Sequence, residues 1–123
     1  MQMPQVVLRI EHEFCNGIYA RTMHIPKGVA LTGAIHREEN FFVVRSGNII
    51  VYTEAGMKCC VAGDMYISFA GIKRIGYAIE DTVITTFHQN ADNIADPELL
   101  WEKYTIDDAA ILINNDRLMI EVQ

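Results

Sequence analysis

The sequence predicts an all-β fold: a small antiparallel barrel or jelly roll, followed by one short C-terminal helix and a tail. Three observations lead there. Short apolar runs alternate with glycine turns from Ile25 to Tyr77, and evenly spaced strands of this kind build barrels and sandwiches. Those runs are rich in β-branched and aromatic residues, which suit a pleated, half-buried surface. The clearest helix-start signal, Asp96-Pro97-Glu98, comes only after His88.

The chain has 123 residues, enough for one domain (1–123) to bury a core without a disulfide or a structural metal. The expected barrel core is 18–88, with the helix and tail over 96–123. Half the residues are apolar, as in globular proteins. A formal charge of −6 argues against nucleic acid as a partner, because phosphate backbones need a basic face. Cys59 and Cys60 are adjacent and Cys15 stands alone. This odd, scattered set suggests reduced thiols and a cytoplasmic setting. Met1-Gln2-Met3-Pro4-Gln5 lacks a signal-peptide pattern. No apolar run approaches membrane-spanning length.

Taken in order, residues 5–12 form the first strand candidate, carried by Val6, Val7, Leu8 and Ile10. Asn16-Gly17 signals a turn, and residues 18–25 read as the second strand. Pro26-Lys27-Gly28 stops it, since proline cannot donate to a ladder. Residues 29–32 form a short third strand. Residues 41–45 and 49–53 flank Ser46-Gly47-Asn48 and read as the clearest hairpin. Strands at 57–61, 65–69, 74–79 and 82–88 follow, divided by Ala62-Gly63-Asp64, Ala70-Gly71 and Glu80-Asp81. Residues 89–95 are loop-like. Asp96 is then an N-cap, with Pro97 at the first helical position and an acidic first turn. That helix, with Leu99, Leu100, Trp101 and Tyr104, reads as a lid packed on the barrel. Residues 109–113 and 118–122 flank Asn114-Asn115-Asp116, as a final hairpin or as an arm that pairs with another subunit.

The spacing resembles the cupin family, whose first motif is G-x5-H-x-H-x3,4-E-x6-G and whose second is G-x5-P-x-G-x2-H-x3-N. His36 matches the second histidine and Gly47 the closing glycine of the first. Gly63-Asp64 and Ala70-Gly71 match the second, with Phe69 in place of its proline. The resemblance covers residues 18–88 and implies a β-barrel with an inward-facing ligand site. Cupin metals are held by three histidines and a glutamate. Here Ala34, Asn40 and Arg74 stand at three of those four positions, so no bound metal and no cofactor are expected. An alternative is a shifted metal site using His36, Glu39 and His88. The chain also resembles short cupin-like proteins encoded by bacteriophages. The shared pieces are Ile25-Pro26-Lys27-Gly28, residues 31–36, 53–56 and 71–78, then Glu80-Asp81-Thr82-Val83 and 86–88. This second resemblance implies a phage origin and little about activity.

Within that frame Arg74 points inward beside His36. Arginine presents a planar fork that suits phosphate or carboxylate. An internal ion pair with Glu38, Glu39 or Asp81 is the competing reading for it. The expected ligand-binding set is His36, Arg74, Lys73, Tyr77 and His88, around a small anionic ligand such as a nucleotide or sugar phosphate. Parity turns Lys73 away from Arg74 unless the turn after Gly71 resets it. A homo-oligomer is expected from the generous apolar fraction. Two other functions fit the same residues. One is a metal-independent isomerase or epimerase of nucleotide-linked sugars, using His36 and Tyr77 with Lys73 and Arg74 on the diphosphate. The other is a phage structural or assembly protein in which the barrel is only a scaffold.

Overall fold

The structure, a computed structural model, describes residues 8–106, 110–113 and 120–121. Alternation decides which side of each strand faces inward. In β2 (Gly17–Ile25), Tyr19, Arg21 and Ile25 are buried while Ile18 is exposed. The strands around it are β1 (Arg9–Cys15), β3 (Ala30–Thr32), β4 (Asn40–Ser46) and β5 (Asn48–Thr53). The chain continues in β6 (Gly56–Val61), β7 (Met65–Ser68), β8 (Ile75–Ala78) and β9 (Thr82–Asn90). Helix α1 (Pro97–Tyr104) follows, then β10 (Ala110–Ile113) and β11 (Ile120–Glu121).

The strands form two antiparallel sheets, ordered β1-β2-β9-β4-β7 and β11-β10-β3-β8-β5-β6. Between them Ile25, Leu31, Val44, Ile49, Ala78 and Ile84 make one buried apolar cluster. The strand at residues 5–12 is displaced: its described part starts at Arg9 and runs to Cys15, in full register with β2. Residues 5–7 lie outside the described part.

The hairpin expected at residues 41–53 does not form. β4 pairs with β9 and β7 in one sheet, while β5 pairs with β8 and β6 in the other. Gly47 is a corner between sheets. Its φ is +90°, and a Cβ there would lie 2.3 Å from the carbonyl oxygen of Asp81, so no other residue fits without displacing backbone. The corner places Val44 and Ile49 in facing sheets, where both enter the central cluster and lose nearly all exposure. Adjacent strands do form hairpins at β1–β2 and β5–β6.

Asp96 caps α1 as its sequence implies, accepting the Glu98 amide at 3.0 Å, with Pro97 at the helix start. Leu100 and Tyr104 are buried against Tyr19, so the helix packs on one end of the sandwich. The chain then rejoins the sheets: the Ile106 amide donates to Ile35 and the Arg37 amide to Tyr104, both at 2.7 Å. β10 pairs with both β11 and β3, so the final hairpin extends the six-stranded sheet of its own chain. The turn at Asn114-Asn115-Asp116 lies outside the described residues. Among those residues, no helix is long and apolar enough to cross a membrane.

Candidate functional site

The inward face of β2 carries Tyr19, Arg21 and Ile25, so a cation sits on a core-facing strand. Arg21 is 6% exposed. Its guanidinium carbon lies 3.9 Å from the centroid of the Trp101 ring of α1, a cation–π contact that partly replaces lost hydration. Burial pulls its pKa down to about 10, which leaves it charged at neutral pH. The sequence reading missed Arg21. The signal was available: on the expected strand 18–25 it shares parity with Tyr19 and Ile25.

Arg74, just before β8, approaches the same space from the opposite sheet. Its Nη1 donates to Ser68 Oγ at 2.5 Å, and burial lowers its pKa. The anticipated ion pair with Glu38, Glu39 or Asp81 is not made. Among the described residues, neither Arg21 nor Arg74 is in an ion pair with a carboxylate. Asp81 instead accepts the Lys27 amide at 2.8 Å.

His36 lies between the two arginines and α1. Both of its ring nitrogens are buried and lack a hydrogen bond. The Ala34 backbone lies near enough to oppose the pKa shift slightly, without the geometry of a bond. Burial first, then the charges of Arg21 and Arg74, push His36 down to about 4. Asn40, the first residue of β4, is 6% exposed, and neither atom of its amide has a partner. Orphaned buried polar groups are costly in a folded core, on the order of 1–3 kcal/mol each. Their presence together marks a place shaped for something other than packing. Arg21, His36, Asn40, Ser68, Arg74 and Trp101 all line one cavity of about 110 Å³.

His88 is a correction. It was expected among the ligand-binding residues, but it is buried within β9. Its ring stacks on His36 at 5.4 Å, on Tyr19 at 5.7 Å and on Tyr104 at 5.2 Å. It hydrogen-bonds Thr86 at 2.8 Å. Burial, with help from His36 and Arg21, pushes it down to about 3. His88 therefore backs His36 and does not line the cavity.

Lys73 and Tyr77 are not brought to this cavity either. Lys73 is exposed, as its parity implied. Tyr77 stands on the outer face of β8 beside Ile75 and is 38% exposed, because inward positions on that strand fall to Gly76 and Ala78. Of the expected set, only His36 and Arg74 meet around the cavity.

The shifted metal site does not assemble. Glu39 is exposed, and His36 and His88 stack with rings 17° from parallel. In-plane lone pairs on stacked rings do not converge on one ion. Among the described residues, no three His, Cys, Asp or Glu side chains gather as metal ligands. The four positions that the motif resemblance would assign to metal ligands, Ala34, His36, Asn40 and Arg74, offer one neutral imidazole against a fixed cation. That donor set does not fit a divalent metal. Of the cysteines, Cys60 is buried and Cys59 exposed on opposite faces of β6, and Cys15 is exposed.

No protein-family model matches this sequence. No curated protein sequence matches it. Solved structures do. An ectoine synthase from P. lautus superposes with a TM-score of 0.67 at 12% identity, covering 91% of this chain and 80% of that one. An RmlC-like cupin from Shewanella frigidimarina gives 0.58 at 16% identity, over 72% and 78%. A double-stranded β-helix protein from Klebsiella pneumoniae gives 0.57 at 14% identity, over 76% and 85%. Identities this low speak for architecture alone. The chain is thus built on the cupin fold, a double-stranded β-helix whose interior end holds two arginines around one histidine.

Proposed function

We propose that this protein binds a small organic anion inside the barrel, without a metal, between Arg21 and Arg74. One observation carries the reading: two guanidiniums reach a cavity in which polar atoms of His36, Asn40 and Trp101 lack partners. Burying unpaired cations is expensive, and an incoming anion would relieve that cost while accepting a hydrogen bond from Asn40. His36, neutral above about pH 5, could donate or accept one bond. A phage-encoded binder of this kind would sequester a host metabolite or nucleotide.

Calorimetric titration with nucleotides, cyclic nucleotides and sugar phosphates tests this reading. Binding should weaken about tenfold to a hundredfold in Arg74→Ala, as expected when a charge-assisted bond is lost. Absence of binding across these anions and across simple carboxylates and inorganic phosphate, or affinity indifferent to Arg74→Ala and Arg21→Ala, overturns it. The isomerase reading draws less support, because Tyr77 and Lys73 lie outside the cavity and His36 lacks a carboxylate partner. A homo-oligomer remains part of the proposal. Phe41 stands in register with both Ile67 and Phe87 on the outer face of one sheet, and all three are exposed. Sedimentation velocity that finds only monomer would remove this part.

A further inference from the structure

The polar cavity is small. At about 110 Å³ it is below the size of ordinary ligand sites, roughly 300–1,000 Å³, and holds a head group rather than a whole metabolite. A second chamber of about 480 Å³ adjoins it. The two share Phe42, Val51, Ser68 and Arg74 as lining residues, so Arg74 stands at their junction. The chamber opens between β6 and β7, the terminal strands of the two sheets. Its lining is largely apolar, and includes Met57, Phe69 and Ile72 beside the shared Phe42 and Val51. Met57 and Phe69 are 66% and 54% exposed. Large apolar side chains left in water around a concave mouth mark a binding site more often than a plain surface.

We infer that the ligand is an amphiphilic anion. Its carboxylate or phosphate head lies between Arg21 and Arg74, and its apolar body fills the chamber between β6 and β7. This rests on the anion-binding reading and narrows it. A sugar phosphate would leave most of its hydroxyls facing Phe42, Val51 and Ile72 without partners, which disfavours binding. An alkyl or aryl body meets the lining on its own terms, each buried methylene strengthening binding about fourfold. Charge favours this orientation, since the two arginines lie at the inner end, while Lys58 of the chamber is exposed to solvent and sits over the Tyr66 ring.

The test is a titration of the full chain with butyrate, hexanoate and octanoate, with octyl phosphate to compare head groups. Affinity should rise on the order of tenfold per two-carbon step. Arg74→Gln should weaken every member of the series. Ile72→Trp, which narrows the chamber at a half-buried position, should weaken octanoate and leave butyrate nearly unchanged. Thermal unfolding of both variants shows whether they fold. Equal affinity along the series, with Ile72→Trp indifferent, overturns the inference while leaving anion binding standing. No binding by any anion, phosphate included, overturns both. If Ile72→Trp changes the oligomeric state and not octanoate affinity, the chamber is an interface between copies and the inference fails.

Discussion

The same strands build two interiors of opposite character. Toward one end, Ile25 of β2, Val44 of β4 and Ile84 of β9 meet Leu31, Ile49 and Ala78 in a dry apolar cluster. Toward the other, β2 supplies Tyr19 and Arg21, β4 supplies Asn40 and β9 supplies His88, beneath α1. The strands alternate identically at both ends, so the pleat alone does not explain the difference. What differs is whether the buried atoms have what they need. The apolar half requires only contact, although Ile25, Leu31 and Ile84 also wall the cavity that the arginines reach. The polar half holds two cations without carboxylate partners and three side chains, His36, Asn40 and Trp101, with orphaned polar atoms among the described residues. Under the proposed function, stability resides mainly in the apolar cluster and recognition in the polar groups.

Breaking the apolar half should have the largest effect. Ile49→Ala removes a side chain that is 2% exposed and should destabilise the fold by about 2–5 kcal/mol. Denaturant titration reads it. A loss under 1 kcal/mol would mean that the cluster is not where stability resides. At temperatures where the variant stays folded, anion affinity should be little changed.

The polar half should respond in the opposite direction. Asn40→Leu replaces an amide with no partners by an apolar side chain of similar volume. It should stabilise the ligand-free protein by about 1–3 kcal/mol while weakening anion binding. A variant that is both less stable and binds as tightly would show that the Asn40 amide is not held for a ligand.

The smallest effect sharpens the contrast through pH. His36 and His88 have folded pKa values of about 4 and 3, against an ordinary 6.5. The unfolded chain therefore binds more protons than the folded one as pH falls below 6.5. Stability is present above that pH and is lost progressively toward the folded values. Between pH 6.5 and 5.5 each imidazole should cost about 1 kcal/mol. His88→Phe keeps the stacked ring and should remove its share of that slope in urea titrations at the two pH values. An unchanged slope would place the proton uptake elsewhere. The anion should also bind more tightly as pH falls through this window, since a bound negative charge favours imidazolium.

Much of the architecture was readable before folding was considered. β2, β5, β6 and β7 lie within a residue or two of their expected bounds, because glycine, proline and β-branched residues act over distances of a few residues. The site was readable only in part. His36 and Arg74 were found through motif positions. Lys73 and Tyr77 have side chains suited to a polar mouth, a charge for a phosphate and a hydroxyl for a polar contact, yet alternation turns them out. Arg21 was overlooked because no motif marks it, although its parity with Tyr19 pointed inward.

Local chemistry wrote the capping of α1 by Asp96, the stops at Pro26 and Gly63, and the alternation that selects inward residues. These depend on φ preferences, missing donors and the two-residue repeat of a strand. Tertiary structure alone decided the partners. β4 and β5 look like a hairpin in one dimension, but β9, about forty residues on, claims β4 across the corner at Gly47. The stack of His36, His88 and Tyr19 and the meeting of Arg21 with Arg74 arise the same way. Each joins strands far apart in the chain, and long-range pairing is chosen by what the whole interior can bury, which no short window of sequence contains.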